Sequence, residues 1–588
     1  MNQRWSLDEL YTSFDSIEFK ADMKKFDEYI ESFRTWAAKN LKDTAEAAGK
    51  IEEYIKLKIA FYSLYIRLGD FAELTLSVEA KNEKATAVSE ELDNKSTELT
   101  EVEVNFQKWL GALENFEELI DKSDTLKNHE FYLKELKAEN KYLLSEKEEV
   151  IIAKMINTGS NAWNKLQNML TSTLLVDIKV NDEDKQLPLP VVRNMAYSNS
   201  KRERKTAYEA ELKAYKKIEE SSAACLNGIK GEVITLSKLR GYESPLEQTL
   251  INSRLDRETL EAMLTAMRES LPEFHKFYLK KAEILGYEKG LPFYDLFAPT
   301  GEGDMRFSYE EARNFIVKNF RTFSDKLADF ADNAFENRWI DAEPREGKRG
   351  GAFCSNIHPI GESRILSNFT GSFSDVATLA HELGHGYHGS CLMEESYLNS
   401  RYTMPIAETA SIFCETIVKR AALKNASNEE AYTILEGDIS DSAQVIVDIY
   451  SRFLFESELF RRREKASLSV NELKEIMLNA QKEAYGEGLD PEYLHPYMWV
   501  CKPHYYYAGQ NFYNFPYAFG LLFSKGLYAE YLKRGEAFVA DYDKLLSVTG
   551  KKKIAEVTAM MGIDIHSVEF WRSSLNIIKE DIEKFINL

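Results

Sequence analysis

Apolar residues recur at every third or fourth position along most of the chain, with charged residues between them. The stretch IEEYIKLKIAFYSLYIRL has this spacing, and no proline occurs from Met1 to Leu187. An amphipathic helix buries one face of its 3.6-residue turn, and proline interrupts helices, so this pattern predicts long packed helices. The segment EAKNEKATAVSEELDNKSTELTEVEV lacks a sustained heptad repeat, which favours antiparallel helix packing over a coiled coil.

Two short regions depart from helical spacing. In STLLVDIKVNDEDKQLPLPVV, β-branched residues flank a polar turn before Pro188 and Pro190, which predicts a strand pair followed by a domain boundary near residue 195. The region from Gly350 to Phe369 contains the extended runs GGAFCSN and SRILSNF around a turn. The expected fold class is therefore mainly α, with a small antiparallel β-sheet just before the residues that carry the chemistry.

Composition and charge narrow the class of protein. The chain has 588 residues, of which 44% are hydrophobic and 29% charged, as is typical of a globular protein with a large buried interior. Its formal net charge of −21 repels phosphate backbones and anionic lipids, so neither nucleic acid nor a membrane is an expected partner. We expect a cytoplasmic protein, because the sequence has no secretory signal and no run of about 18 apolar residues.

The five cysteines are widely spaced and form no CxxC pair, which is typical of a reduced compartment. We expect all of them to be packed thiols: Cys225, Cys354, Cys391, Cys414 and Cys501.

The strongest chemical signal is His381-Glu382-Leu383-Gly384-His385, an HExxH pattern. On a helix, positions i and i+4 lie side by side, so both imidazoles can bind one zinc ion while the glutamate serves as a general base. The alternative interpretation of the pattern is an exposed helix face that binds no metal. Six of the nine histidines fall between residues 358 and 504, a clustering that favours a metal site.

A catalytic zinc needs a third protein ligand and an open position for water. His388 is rejected for this role, because seven residues of helix span about 10 Å. Glu408 in MPIAETASIFCE is the better candidate, since Pro405 can start a helix whose small residues permit close packing. Glu415 is seven residues further on and could hydrogen-bond a ligating imidazole. The alternative makes both glutamates ordinary surface acids.

The segment KPHYYYAGQNFYNFPYAFG carries His504 and a dense group of tyrosines. Such a high density of aromatic side chains usually indicates packing in a hydrophobic core. Peptide hydrolysis over zinc also needs hydrogen-bond donors for an oxyanion, and an imidazole and phenols on a glycine-bearing loop suit that task. The candidates are His504 and the tyrosines of this segment, namely Tyr505, Tyr506, Tyr507, Tyr513 and Tyr517.

Three motifs resemble the oligoendopeptidase F branch of the thimet oligopeptidase family. They are SNFTGSFSDVATLAHELGHGYH, AETAS and HYYYAGQNFYNFPYAFG, in that order, and the resemblance runs from about Leu187 to the C-terminus. It implies one Zn²⁺ per chain on His381, His385 and Glu408, with Glu382 as the base and Glu415 supporting the ligands.

The same resemblance implies a role for the residues before the metal helix. GGAFCSN would be an edge strand that pairs with the substrate backbone, so Gly350, Gly351, Ala352 and Phe353 are predicted to bind substrate. The resemblance also implies that His504 binds the scissile carbonyl together with neighbouring tyrosines, for which Tyr507, Tyr513 and Tyr517 are all possible. The family fold has two helical halves around a deep substrate channel, which implies an N-terminal lid region (1–195) and a catalytic domain (196–588).

The sequence therefore predicts a zinc endopeptidase that cleaves internal bonds of short oligopeptides through a metal-bound water. One alternative is a metallocarboxypeptidase of similar architecture, which would need a cation to hold the substrate's terminal carboxylate. Another is a non-catalytic helical scaffold. The oligomeric state is not predicted.

Overall fold

A computed structural model describes residues 2–301, 303 and 305–588 of the chain. By packing, the chain divides into two compact units, each assembled from separated stretches. Unit 1 comprises Met1–Lys141, Asp304–Ala422 and Glu530–Gly562, and unit 2 comprises Tyr142–Gly303, Leu423–Ala529 and Ile563–Leu588. No unit boundary falls near residue 195. The functional division into a lid region and a catalytic domain stays a prediction.

Helices make up most of both units. The first group is α1 (Ile17–Asn40), α2 (Ala47–Val78), α3 (Glu83–Ser96), α4 (Thr100–Gly111), α5 (Phe116–Ile120), α6 (Asp124–Asn128), α7 (Glu130–Glu139), α8 (Glu146–Thr158) and α9 (Ser160–Thr173). The next group is α10 (Leu189–Asn194), α11 (Lys201–Tyr215), α12 (Glu219–Arg240), α13 (Pro245–Asn252), α14 (Arg257–Ile284), α15 (Tyr309–Arg321), α16 (Asp325–Glu336), α17 (Phe373–Cys391) and α18 (Met404–Ala407). The last group is α19 (Thr409–Leu423), α20 (Asn428–Ala443), α21 (Ile449–Arg463), α22 (Val470–Tyr485), α23 (Met498–Cys501), α24 (Phe515–Arg534), α25 (Ala537–Ser547), α26 (Ile554–Ala559) and α27 (Val568–Asn587).

The strands form two small sheets. In unit 2, β1 (Leu175–Val180) and β2 (Glu183–Pro188) pair as an antiparallel hairpin, as the first strand-like region predicts. In unit 1, the order is β3 (Ile340–Asp341), β5 (Glu362–Leu366), β4 (Phe353–Ile357), so β4 lies at an edge. β4 and β5 are antiparallel as predicted, whereas the two-residue β3 pairs with β5 in parallel.

The N-terminal helices of unit 1 share a core with the sheet. Phe26 of α1, Tyr54 of α2 and Phe106 of α4 belong to the same buried apolar cluster as Ile357 of β4 and Leu366 of β5. Tyr54 and Phe106 stack with their ring planes 3° apart. Large aromatic rings bury much apolar area, so this cluster fixes the sheet against the helices.

Unit 2 has a separate apolar core. It joins Val176 of β1, Tyr215 of α11 and Ile229 of α12 to Phe455 of α21 and Trp499 of α23, all of which are buried. The mainly helical class with a small sheet beside α17 is confirmed. Among the described residues, no helix combines the length and apolar character needed to cross a membrane. All five cysteines are free thiols.

Candidate functional site

Helix α17 carries the HExxH residues, and its start follows from the local sequence. The Ser372 side chain accepts a hydrogen bond from the Asp375 amide, while the Asp375 side chain accepts one from the Ser372 amide. This reciprocal cap pairs free amides of the first turn. Val376, Leu379 and Leu383 are fully buried on one face of the helix, as their spacing predicts.

The three predicted zinc ligands converge in unit 1. Nε2 of His381 lies 3.2 Å and Nε2 of His385 lies 3.4 Å from Oε2 of Glu408. Two tetrahedral ligands at about 2.1 Å from zinc lie about 3.4 Å apart, so these distances suit a shared ion. Two imidazoles and one carboxylate are also a donor set that catalytic zinc sites use. The chemistry and the spacing of the residues therefore fit zinc.

Glu408 reaches the imidazoles because the chain breaks between two helices. Pro405 lies in the first turn of α18, and Glu408 has φ −83° and ψ 5° before α19 begins at Thr409. The Ser411 hydroxyl donates a hydrogen bond to Glu408 Oε2 at 2.7 Å. The break and the hydroxyl together orient the carboxylate toward α17.

Gly384 permits the close approach of α17 to α19. A Cβ atom at this position would lie 2.4 Å from the carbonyl oxygen of Ala410 and 2.6 Å from Cα of Ser411. Real Cβ atoms do not approach backbone atoms this closely, so a larger residue would separate the helices. Gly384 thus lets the backbone beside Glu408 pack directly against the turn that carries both histidines.

We expect Gly384→Ala to weaken zinc binding about 10-fold or more, because displacement of α19 moves Glu408 away from the histidines. The overpacked helix pair should also lose about 1–3 kcal/mol in free energy of unfolding. Chelator competition and thermal melting measure the two effects. Gly437→Ala in α20 is the matched control, since a Cβ there meets no atom within 4 Å. Equal zinc affinity in both variants would contradict this role for Gly384.

The carboxylate of Glu415 lies within hydrogen-bond distance of His381, the contact that the spacing suggests. Its Oε2 lies 3.0 Å from Nδ1 of His381, and its Oε1 lies 2.6 Å from Nζ of Lys419. With the proton on Nδ1 donated to Glu415, Nε2 of His381 keeps its lone pair for a metal. Burial raises the pKa of the Glu415 carboxyl, but Lys419 and His381 outweigh it and bring the pKa to about 2.

Glu382 lies beside the histidines with a carboxylate oxygen that has no partner. The residue is 6% exposed, and its Oε2 has no hydrogen-bond partner in the part of the chain that the structure describes. Burial raises the pKa of this carboxyl. A carboxylate that is withdrawn from solvent and has an unused oxygen is suited to proton transfer.

His388 has other partners. It is fully buried, its Nε2 lies 2.8 Å from the hydroxyl of Thr549, and its ring stacks on Tyr402 with centroids 4.1 Å apart. Burial lowers its pKa to about 3, so the ring is neutral. These contacts give His388 a packing role in the core, so its presence on α17 does not require a bound metal.

The predicted oxyanion residues come together within unit 2. The ring of His504 lies 5.5 Å from that of Tyr513, 6.3 Å from Tyr507 and 6.4 Å from Tyr517, measured between centroids. Burial lowers the pKa of His504, and the positive charges of Arg452 and Lys502 lower it further. The adjacent Tyr505 and Tyr506 are buried in the core. The role of the cluster at a peptide carbonyl stays a prediction.

The predicted substrate segment leads into the edge strand. Gly350 and Gly351 are exposed loop residues, Ala352 is half-buried, and Phe353 begins β4, so the strand is shorter than GGAFCSN predicts. Gly351 has φ +79°, which favours glycine. An edge position leaves one side of β4 without a strand neighbour.

Three residues that position the site were missed from the sequence. Besides Gly384, they are Lys419, which pairs with Glu415, and Asn356 of β4, whose Nδ2 donates to the carbonyl oxygen of His385 at 3.1 Å. The i, i+4 spacing of Glu415 and Lys419 on one helix is a sequence signal for their ion pair. The Asn356 contact joins a strand to a helix, and no local sequence pattern predicts such a contact.

A family model described as "Peptidase family M3" matches residues 194–577, and one described as "Oligopeptidase F" matches residues 113–174. The chain belongs to peptidase family M3. The predicted resemblance to oligoendopeptidase F and the predicted enzyme class, a metalloendopeptidase hydrolase, are thereby confirmed. The alternative of a non-catalytic scaffold is not supported.

Relatives and solved structures agree with the family M3 assignment. Oligopeptidase PepF from Bacillus subtilis is 22% identical over 99% of this chain and 87% of its own length. A crystal structure of a putative peptidase from Chlamydophila abortus has a TM-score of 0.85 at 21% identity, covering 100% of this chain and 98% of that one. Oligoendopeptidase-F from Enterococcus faecium has a TM-score of 0.70 at 17% identity, covering 96% and 98%.

Proposed function

We propose that this family M3 peptidase is a zinc-dependent endopeptidase that hydrolyses internal bonds of short oligopeptides in the cytoplasm. The observation that carries the proposal is the convergence of His381, His385 and Glu408 beside the buried Glu382. The names of the relatives, which include an oligopeptidase and an oligoendopeptidase, support the substrate class. One Zn²⁺ per chain would be held by the two histidines and Glu408.

Zinc at these ligands supplies Lewis acidity that activates water and the substrate carbonyl. Glu382 accepts a proton from the attacking water and passes it to the leaving amine. His504, with one or more of Tyr507, Tyr513 and Tyr517, donates hydrogen bonds to the developing oxyanion. Each well-placed donor contributes about 3 to 4 kcal/mol to the transition state.

The substrate would bind as an extended chain along Gly350, Gly351, Ala352 and Phe353, adding its backbone to the edge at β4. This binding mode recognises the backbone amides and carbonyls of the substrate, so it accepts peptides of many different sequences. It also requires the substrate to be unfolded over the paired segment, which favours short flexible peptides over folded proteins.

An internally quenched peptide blocked at both ends tests the reaction. We expect such peptides of roughly 5 to 20 residues, spanning about 3.3 Å per residue, to be cleaved at an internal bond. Casein-sized chains and folded proteins should resist. Cleavage that requires a free C-terminus and releases only terminal residues would favour the metallocarboxypeptidase alternative. Digestion of an intact folded protein at a similar rate would contradict the oligopeptide specificity.

A further inference from the structure

Unit 2 contains a cavity of about 630 Å³, apart from the residues assigned to zinc. Every residue on its wall belongs to this unit, and the wall includes parts of α9, α10, α11 and α14. The volume is that of a typical small-ligand site. The segment from Met498 to Tyr506, which contains His504, also contributes to the wall.

The cavity wall carries three cationic and two anionic side chains, and one of the cations forms no direct ion pair with a described residue. Arg204 pairs with the buried Asp295, and Arg193 pairs with Glu211 on the wall itself. The wall's Asp448 pairs with Arg452, which stands outside the wall. Lys502, by contrast, makes no ion pair within the described residues.

Lys502 is therefore the charged group of the wall that a ligand would most readily complement. Burial lowers the pKa of its ammonium group and the positive charge of Arg452 lowers it further, while the negative charge of Asp448 on the same wall offsets only part of this decrease. A partly buried cation beside another cation is costly unless an anion compensates it. A bound carboxylate would supply the direct ion pair that Lys502 lacks among the described residues.

Two uncharged residues of the wall have a buried polar atom without a hydrogen-bond partner among the described residues, and both atoms are closed off from the open space of the cavity. Tyr506 is 1% exposed and its hydroxyl has no partner in the described part of the chain. Gln167 is 2% exposed; its Nε2 donates to the carbonyl oxygen of Val500, but its Oε1 accepts no hydrogen bond from any described residue. These two atoms therefore supply no contact to a ligand that fills the cavity.

The remaining wall is largely apolar and aromatic, with Phe277, Phe293 and Phe297 among its residues. One edge is formed by the π-helical turn Gln444–Asp448, which contributes both its end residues to the wall. Single π turns interrupt α-helices mostly at functional positions. A cavity with a cation and an aromatic surface matches a carboxylate next to an apolar side chain.

We propose that this cavity binds the free C-terminal end of a short peptide with an apolar last residue. Lys502 would hold the carboxylate, and the aromatic wall would cover the side chain. The choice of a peptide rests on the proposed function. It fits the chain order, because Lys502 directly precedes the 3₁₀ turn Pro503–Tyr506 that carries His504.

Equilibrium binding to the full-length protein tests the proposal. The probes are N-acetyl-L-phenylalanine and N-acetyl-L-phenylalaninamide, which differ only at the carboxylate, and calorimetry measures their affinities. We expect the acid to bind roughly 10- to 100-fold more tightly, as for a hydrogen bond to a charged group. N-acetyl-L-alanine should bind more weakly than the phenylalanine acid, because it fills less of the aromatic wall.

Substitutions of Lys502 test whether the carboxylate binds in the cavity. Lys502→Met should abolish the preference for the acid, Lys502→Arg should keep most of it, and Lys482→Met, an exposed lysine of α22 outside the wall, should match the unaltered protein. A preference that survives in Lys502→Met would place the carboxylate elsewhere, for example on zinc, and overturn the proposal. Equal affinity for acid and amide, or acetate binding as tightly as the acid, would overturn it too.

This outcome is separable from that of the proposed function, because the assay needs no turnover. An active zinc endopeptidase without the acid preference would overturn only the cavity assignment. Acid-selective binding that depends on Lys502, in a protein that cleaves no peptide, would overturn only the proposed reaction.

Discussion

Glu382→Gln should abolish nearly all turnover while the protein keeps its zinc. The amide has almost the same shape as the carboxylate but cannot accept a proton, and loss of a general base costs typically 10²- to 10⁴-fold in rate. The histidines and Glu408 are unchanged, so metal content should stay near one zinc per chain. Steady-state cleavage of the quenched peptide and elemental analysis measure the two quantities.

The control for this substitution is Glu394→Gln. Glu394 follows α17 and is exposed, so its replacement changes the net charge by the same amount without touching the site. It should retain full activity. Activity near that of the unaltered protein in Glu382→Gln would rule out Glu382 as the base. Loss of zinc together with activity would instead make its role one of holding the metal site.

Much of the metal helix could be read from the sequence because its determinants are local. The Ser372 and Asp375 cap, the buried face of Leu379 and the i, i+4 spacing of the histidines all depend on residues within one helix. Local rules of this kind hold when the helix also buries its apolar face, as α17 does. The hairpin of β1 and β2 was predictable for the same reason, since a polar turn joins adjacent strands.

Contacts between distant segments were less predictable. The parallel pairing of β3 with β5 joins residues more than twenty positions apart, and β3 is only two residues long. The close approach of Gly384 to Ala410 depends on the path of the chain between α17 and α19. Periodicity reports which face of an element is buried and not which element covers it. Each packing unit is accordingly assembled from separated stretches of the chain, which periodicity does not predict.

The cavity in unit 2 had no signature in the sequence. Lys502 and Tyr506 lie in a segment whose histidine and tyrosines predict an oxyanion site, and Gln167 lies in a helix more than three hundred residues earlier. Their shared wall appears only when α9 packs beside the segment, with the Asn164 amide donating to the carbonyl oxygen of Tyr506. An unpaired lysine cannot be told from a paired one until its neighbours are known.

Substitution of the third ligand should empty the metal site. In Glu408→Gln the carboxylate that lies within 3.4 Å of both imidazoles becomes a neutral amide, a weak zinc ligand. His381→Ala and His385→Ala each remove a ligand and should have the same effect. Glu415→Gln should be milder, weakening zinc about 10- to 100-fold, because it only orients His381. Metal content after dialysis and chelator competition rank the variants.

His388→Ala is the critical comparison for this ranking. Because His388 is buried against Tyr402 and Thr549, its loss should leave a cavity and lower the free energy of unfolding by about 2–5 kcal/mol, yet zinc content should stay near one per chain in the folded protein. Glu408→Gln should show the reverse, with zinc lost and the fold kept. If His388→Ala lost the metal while Glu408→Gln retained it, the assignment of Glu408 as the third ligand would be wrong.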